Sequence, residues 1–176
     1  MVVSIVTVVI SVVSLAVSGV LVLRQMRIAR DGYALPVVLD MFGKLRTDEY
    51  FAADQYVLHK FRAEVPDVVA LTALPTATRA HLRVICGLYD DLGKLVAHGI
   101  VSEELVVGSR GDSVTRVWDI VAPFVYEERR VKGTHLWIYL EDLAARAART
   151  PAAEIHAKLG LLEKAPATAL AAPASP

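Results

Sequence analysis

The residue types that most often bind metals or act as nucleophiles are few and widely separated in this chain. Its five histidines stand 17 or more residues apart, so no two of them can share a metal ion as neighbours on one helix. Cys86 is the single cysteine, which excludes a disulfide framework and a multi-cysteine zinc site. The sequence contains no phosphate-loop, dinucleotide-binding, nucleophile-elbow or zinc-protease motif. We therefore predict no metal, no cofactor and no enzymatic activity.

A charged run at residues 127–130, with the sequence Glu-Glu-Arg-Arg, follows an apolar helical stripe. The stripe consists of Val114, Trp118, Val121 and Val125. Four residues further along the same face lies Arg129, whose guanidinium should therefore point toward the core. Because a buried guanidinium requires a carboxylate, we predict a structural ion pair of Arg129 with Glu141 or with Asp91. The alternative is that Arg129 binds an anionic ligand.

Two adjacent acids, Asp90 and Asp91, could act as a general acid and base in a cleft. Neighbouring side chains on a helix point about 100° apart, so the two cannot both face one cleft squarely. We expect a solvated face from which at most one acid is recruited by Arg129.

The elements that position these residues are predicted to be helices throughout, because past Gly32 no alternating run is long enough for a sheet. We expect helices from Pro36 to about Arg46 and from a Thr47 cap to about Ala63. The remaining helices are expected from Pro75 to a Gly99 cap, over a single turn from Ser102 to Val107 that Gly108 ends, from about residue 112 past Pro123, and from Thr134 onward. The fold class is all-α, with a bundle of four to five helices at residues 31–149. Residues 150–176 are rich in Ala and Pro, and we expect a frayed helix to about Lys164 followed by a disordered end.

The composition indicates that part of this chain does not belong to an ordinary globular core. Of 176 residues, 55% are hydrophobic and the mean hydropathy is +0.45, which is high for a soluble domain. The 19 basic and 19 acidic residues balance, so the chain has no net field for attracting nucleic acid. We therefore exclude nucleic acid as a partner.

An apolar segment at residues 1–23 holds 17 apolar residues and no charge. A helix of this length spans roughly 34 Å, enough to cross a bilayer core, so we predict a single transmembrane helix and a lipid bilayer as partner. Arg24, Arg27 and Arg30 follow it and are expected to anchor the segment at the membrane surface. The positive-inside rule then predicts a single-pass protein of the bacterial inner membrane, with its amino terminus outside and its helical domain, which begins at residue 31, in the cytoplasm.

The hydroxyl residues of this segment fall on one helical stripe with spacings of 3, 4, 3 and 4. They are Ser4, Thr7, Ser11, Ser14 and Ser18. These are the a and d positions of a heptad, and small hydroxyl residues let two helices approach closely. The stripe therefore predicts a homodimer that forms through the transmembrane helix. In the alternative, each hydroxyl bonds to a carbonyl of its own helix and needs no partner.

One part of the chain is similar to a known bacterial family. The stretch from Leu88 to Val106, then Trp118 with Pro123, and the pair Arg129-Arg130 carry the similarity, and residues 140–144 continue it. Together they resemble the family called domain of unknown function 4760, whose members are small single-span proteins with a cytoplasmic helical domain. The resemblance implies an architecture and brings no activity or cofactor with it.

Three functional hypotheses remain from the sequence. The first is a non-enzymatic interaction or scaffolding module that self-associates through its span and binds an unidentified protein partner through its helical domain. The second is a small membrane-tethered enzyme or ligand-binding domain with an anionic ligand near Arg129. The third is an accessory subunit of a transporter or envelope complex.

Overall fold

The computed structural model describes residues 14, 15, 17–19, 21, 22 and 36–162, and every regular element within them is helical. The chain forms two compact units, residues 1–51 and 52–176. The predicted boundary between residues 30 and 31 stays a prediction. The prediction of an all-α helical bundle is confirmed for the described residues.

The first unit contains helix α1 at residues 36–44 and the start of helix α2, Asp48–His59. Thr47 caps α2, because its hydroxyl accepts a hydrogen bond from the Tyr50 amide at 3.2 Å. Asp48 and Glu49 occupy the first turn, where the helix dipole favours acids. The predicted cap and start of this helix are confirmed.

The second unit is built around two long helices, α4 and α5. Its elements after α2 are α3, Phe61–Glu64; a 3₁₀ turn, Leu71–Ala73; α4, Thr76–Ala97; α5, Glu103–Lys132; α6, Ile138–Arg149; and α7, Ala152–Lys158. Helix α6 packs against both α4 and α5, and α7 packs against α5. Phe61 and Phe124 are fully buried and their ring centroids lie 4.8 Å apart. Apolar burial of this kind is the main force that holds the helices together.

Helix α5 is one continuous element of 30 residues, where the sequence predicted a short turn closed by Gly108 and a separate helix. The Ser102 cap is confirmed, since its hydroxyl accepts a hydrogen bond from the Leu105 amide. Gly108 and Gly111 lie inside α5, where neighbouring helices pack against them. A Cβ atom at Gly108 would lie 3.0 Å from Ile155 of α7, and one at Gly111 would lie 3.4 Å from Ala147 of α6. The missing side chains therefore let α6 and α7 approach α5 closely.

The ends of α4 and α6 show one confirmed prediction and one correction. Gly99 has a φ of 64° and follows the last turn of α4, which confirms the predicted left-handed cap. Helix α6 begins at Ile138, four residues later than the predicted Thr134 cap. The chain enters α6 through Trp137, which has φ 52° and ψ 40°. Among the described residues other than glycine, Trp137 alone has a positive φ.

The transmembrane part of the predicted fold class is wrong. Among the residues that the structure describes, no helix has both the length and the apolar character needed to cross a bilayer. The long helices α4 and α5 each have one face in water. They carry several charged side chains and are therefore not apolar enough to cross a bilayer. Residues 14, 15, 17–19, 21 and 22 of the apolar segment are helical, and its other residues lie outside the described ones. The expected location in the inner membrane stays a prediction.

The carboxyl-terminal region contains a short packed helix. Ile155 of α7 is 2% exposed, and the His156 Nε2 atom lies 2.6 Å from the Gly108 carbonyl oxygen, in hydrogen-bond contact. Residues 152–158 are thus part of the bundle, whereas the sequence indicated a frayed helix here. The expected disordered end from residue 163 lies outside the described residues.

Candidate functional site

The guanidinium of Arg129 joins α5 to α6 and to the loop between them. Its Nη1 donates to Glu141 Oε2 at 2.5 Å, and its Nε donates to the Leu136 carbonyl oxygen at 2.9 Å. Glu141 also accepts a hydrogen bond from the Tyr126 hydroxyl at 2.7 Å. Of the two partners suggested by the sequence, the structure brings Glu141 to Arg129.

Two aromatic rings complete the surroundings of this ion pair. The Arg129 guanidinium carbon lies 5.6 Å from the Tyr126 ring centroid and 6.0 Å from that of Trp118. Both distances are within the range of cation–π attraction. The Trp118 and Tyr126 rings meet edge to face at 5.8 Å. Arg129 therefore has a carboxylate, a carbonyl and two aromatic rings around it, and these fix its orientation.

The contacts around this ion pair shift the pKa of the Glu141 carboxyl and that of the Tyr126 hydroxyl. Burial raises the pKa of Glu141, but the hydrogen bonds from Arg129 and Tyr126 outweigh it and hold this pKa below its ordinary value of 4.5. The hydrogen bond to Glu141, followed by burial, raises the pKa of the Tyr126 hydroxyl. The structure therefore favours an ionised Glu141 and a protonated Tyr126 near neutral pH.

The acids Asp90 and Asp91 both form an ion pair with Lys94 at 2.9 Å, but they differ in their other contacts. Asp91 is exposed and forms an ion pair with Lys94 at 2.9 Å, so the structure does not bring it to Arg129. Asp90 is 7% exposed, and its Oδ1 accepts hydrogen bonds from the amides of Tyr139 and Leu140 at 3.0 and 3.1 Å. A side chain of α4 thus satisfies the free amides at the start of α6.

Sequence reasoning missed this role of Asp90, although one signal was present. Gly93 lies three residues later on the same face of α4, and a Cβ atom there would overlap the backbone carbonyl of Tyr139. A glycine three residues from an acid, inside an apolar helix, indicates that another backbone approaches at that point. The acid is then in reach of the amides of that backbone.

A cavity of about 160 Å³ lies between α4, the 3₁₀ turn, α5 and the loop before α6. Its wall is formed by Leu71, Thr72, Arg79, Leu82, Arg83, Glu128, Leu136 and Trp137. This volume is close to the roughly 150 Å³ of an engineered cavity that accommodates benzene. Sequence reasoning did not find the cavity, because its lining comes from four separate segments.

Glu128 is the buried acid of the cavity, with 5% of its surface exposed. Its Oε2 accepts hydrogen bonds from both the amide and the hydroxyl of Thr72 at 3.0 Å. In the part of the chain that the structure describes, its carboxylate forms no ion pair. Burial of a carboxylate without a cation is costly.

Two arginines of α4 contribute positive charge to the same cavity. Arg79 is half-buried, and its Nη2 donates to the Thr76 hydroxyl at 3.2 Å. Its Nε is buried and has no hydrogen-bonding partner among the described residues. Arg83 lies one helical turn further along and is exposed. An unsatisfied buried N–H group favours binding of an acceptor from outside the chain.

The backbone of Trp137 is strained where it lines the cavity. Its left-handed conformation costs roughly 1–2 kcal/mol for a residue with a Cβ atom. The neighbouring contacts that hold it there are the Arg129 bond to the Leu136 carbonyl and the Asp90 bond to the Tyr139 amide. Strain of this kind is concentrated at binding sites, where the surrounding structure maintains it.

A wider groove lies between α2 and α5, with a volume of about 570 Å³. Its lining includes Asp54, His59, Arg116 and Asp119. Burial raises the pKa of Asp54, and the positive charges of Arg116, Arg110 and His59 oppose this effect. The groove contains no buried polar atom that lacks a partner, so the smaller cavity is the better candidate.

Several residues singled out from the sequence lie outside the site or outside the described chain. Ser14 and Ser18 are helical and exposed, whereas Ser4, Thr7 and Ser11 and the arginines Arg24, Arg27 and Arg30 lie outside the described residues. Cys86 is fully buried, and this burial raises the pKa of its thiol strongly. Among the described residues, no group of three or more metal-binding side chains lies close enough to hold an ion.

Comparison with known proteins identifies the family of the chain. No curated protein and no solved structure matches it. The model of one family, described as Domain of unknown function (DUF4760), matches residues 2–147 and so covers most of the sequence. The similarity noted from residues 88–144 is therefore confirmed, and the chain belongs to the DUF4760 family.

Proposed function

We propose that the second unit is a ligand-binding domain whose ligand is a small molecule that carries an anionic group and binds in the 160 Å³ cavity. The observation that carries the proposal is Arg79, which lines the cavity together with Arg83 and whose buried Nε has no partner in the described part of the chain. Guanidinium groups bind carboxylates and phosphates through paired N–H donors. The sequence suggested an anionic ligand near Arg129. The cavity lies beside that residue, since Arg129 binds the carbonyl of Leu136 in the cavity wall.

The role of Arg129 in this proposal is structural. Its Nε and Nη1 donate to Leu136 and to Glu141, so it positions the loop that carries Trp137, while its Nη2 is buried and has no partner among the described residues. Arg79 and Arg83 would contact the ligand. The proposal needs no catalytic residue and agrees with the expectation that the protein is not an enzyme.

Trp137 provides a direct test, because it lines the cavity and Trp118 is the other tryptophan in the chain. The probe is 4-methylpentanoate, a small carboxylate with an apolar body. In a Trp118→Phe background, its binding should change the Trp137 fluorescence in a saturable way. Replacing Arg79 with Met should weaken this binding about tenfold or more, since a hydrogen bond to a charged group contributes about 1.5–3 kcal/mol. Arg110→Met is the matched control, because Arg110 is also half-buried and does not line the cavity. Absence of a saturable change at millimolar concentration would contradict the proposal.

An interaction module is the second candidate, and the surface around Arg129 supports it. Tyr126 is 48% exposed and lies beside the half-buried Trp118 and Arg129. Trp, Tyr and Arg are the residues enriched at the energetic centres of protein interfaces. If a partner binds here, Tyr126→Ala should release it from the purified complex, while Phe51→Ala, at an exposed aromatic residue of α2, should not. The accessory-subunit hypothesis stays a prediction.

A further inference from the structure

Glu128 places an unpaired negative charge at the wall of the cavity. Both hydrogen bonds that its carboxylate accepts within the described chain end on Oε2, so Oε1 remains without a donor. The side chain is nearly fully buried, and Thr72 supplies these two neutral donors. A buried carboxylate is normally compensated by a cation as well as by hydrogen bonds.

The positive groups of the cavity do not supply that cation. Arg79 and Arg83 line the same space, yet neither lies within 4.0 Å of the Glu128 carboxylate as an ion pair. Direct contact would have satisfied both the free N–H of Arg79 and the free oxygen of Glu128. The cavity wall therefore includes Arg79, whose buried Nε has no partner among the described residues, and Glu128, whose Oε1 accepts no hydrogen bond from them.

Apart from Thr72, the rest of the lining is apolar. Leu71, Leu82, Leu136 and the indole of Trp137 surround the space between the charged groups. A volume of about 160 Å³ accommodates an apolar body of roughly six carbon atoms, judged by the cavity of similar size that holds benzene. Apolar pockets with a few converging polar groups are typical of small-molecule sites.

We propose that the ligand of this cavity is a small zwitterion with an apolar body, of the kind represented by an aliphatic amino acid. Its carboxylate binds Arg79 and Arg83, its ammonium group binds Glu128 Oε1, and its hydrocarbon part packs on the leucines and Trp137. The inference rests on the proposed ligand-binding function and names the chemical class of the ligand. Each unsatisfied group of the cavity then has a partner of opposite charge.

Three compounds with one carbon skeleton test the inference by isothermal titration calorimetry on the full chain. L-leucine carries both charged groups, 4-methylpentanoate lacks the ammonium group, and 3-methylbutylamine lacks the carboxylate. We expect the affinity for L-leucine to exceed that for either of the other two compounds by about tenfold or more. The reason is that loss of one hydrogen bond to a charged group lowers the affinity by about a factor of ten. This comparison uses the unaltered protein and does not depend on the folding of any variant.

Glu128→Gln separates the role of the acid from that of the arginines. The amide oxygen of Gln can still accept the bonds from Thr72, so we expect the fold to be retained. The variant should bind L-leucine about tenfold more weakly and bind 4-methylpentanoate at least as tightly as the wild type, because the charge of Glu128 no longer repels the carboxylate. The matched control is Glu127→Gln, whose carboxylate pairs with Arg130 and does not line the cavity.

The outcomes distinguish this inference from the proposed function. Equal binding of L-leucine and 4-methylpentanoate, with no effect of Glu128→Gln, would overturn the zwitterion and keep an anionic ligand. Binding of 3-methylbutylamine alone would overturn both the zwitterion and the anionic ligand. Binding of none of the three compounds would overturn the proposed function together with the inference.

Discussion

Arg129 and Glu141 connect α5 to α6 through an ion pair in which Nη1 of Arg129 donates to Oε2 of Glu141 at 2.5 Å. The side chains are 17% and 32% exposed, so the pair is shielded from water more than an ordinary surface pair. Through its Nε, Arg129 also holds the carbonyl of Leu136, which lines the cavity. One guanidinium therefore couples the packing of two helices to the shape of the candidate site.

Glu141→Gln removes the charge of this pair and keeps the size of the side chain. We expect the free energy of unfolding to fall by about 1–2 kcal/mol, because a partly buried Arg129 then lacks its counter-charge. Urea denaturation followed by circular dichroism measures the change. Glu127→Gln, which affects the more exposed pair with Arg130, is expected to leave stability unchanged. Equal effects of the two substitutions would contradict a special role of Glu141.

The pH dependence of stability should report the same ion pair. The folded-state pKa of Glu141 lies below its ordinary value of 4.5, so its contribution to stability is present above pH 4.5 and is lost as the pH falls through the folded-state pKa. The stability difference between the wild type and Glu141→Gln should therefore be constant from neutral pH to about pH 5 and shrink toward pH 3. A difference that stays the same at low pH would show that the charge of Glu141 does not stabilise the fold.

Asp90 and Asp91 provide a matched pair of adjacent substitutions. Asp90→Ala leaves the amides of Tyr139 and Leu140 without their acceptor, and we expect a loss of about 1–3 kcal/mol of stability. Asp91→Ala removes an exposed pair with Lys94 and should change stability little. Thermal unfolding of both variants measures the contrast. If Asp91→Ala destabilised the protein as much as Asp90→Ala, the capping role of Asp90 would be refuted.

Two glycines of α4 should respond to the same substitution with opposite signs. Gly93→Ala places a Cβ atom against the backbone carbonyl of Tyr139, so α4 and α6 must move apart and stability should fall by about 1–3 kcal/mol. At Gly87 no atom lies within 4 Å of the added Cβ atom, and Ala there should stabilise the helix by about 0.5–1 kcal/mol. Thermal unfolding distinguishes the two signs. Stabilisation by Gly93→Ala would show that the helices are not in close contact at this point.

Local patterns in the sequence account for much of the helical architecture. The cap residues Thr47, Ser102 and Gly99 lie where the sequence placed them, because capping depends on side chains within a few residues of the helix end. The apolar stripe that reaches Arg129 indicated an inward-facing guanidinium, and the structure shows it half-buried. Periodicity could not choose between Glu141 and Asp91, since both lie on other helices.

Residues whose role depends on a distant segment were misread or missed. Gly108 was interpreted as a helix end, because its contact with Ile155 is formed by residues 47 positions apart in the chain. The start of α6 was placed at Thr134, because its amides are satisfied by Asp90, about 50 residues earlier.

The sequence by itself determined that this chain forms amphipathic helices, where several of them begin and end, and which face of α5 turns inward. These properties follow from interactions between residues within one or two helical turns. Only the tertiary structure decided that Glu141 pairs with Arg129, that Asp90 caps α6, and that Arg79 and Glu128 line one cavity. The physical reason is that these contacts join segments about 12 to 50 residues apart, and close packing of helices, rather than any local pattern, brings such segments together.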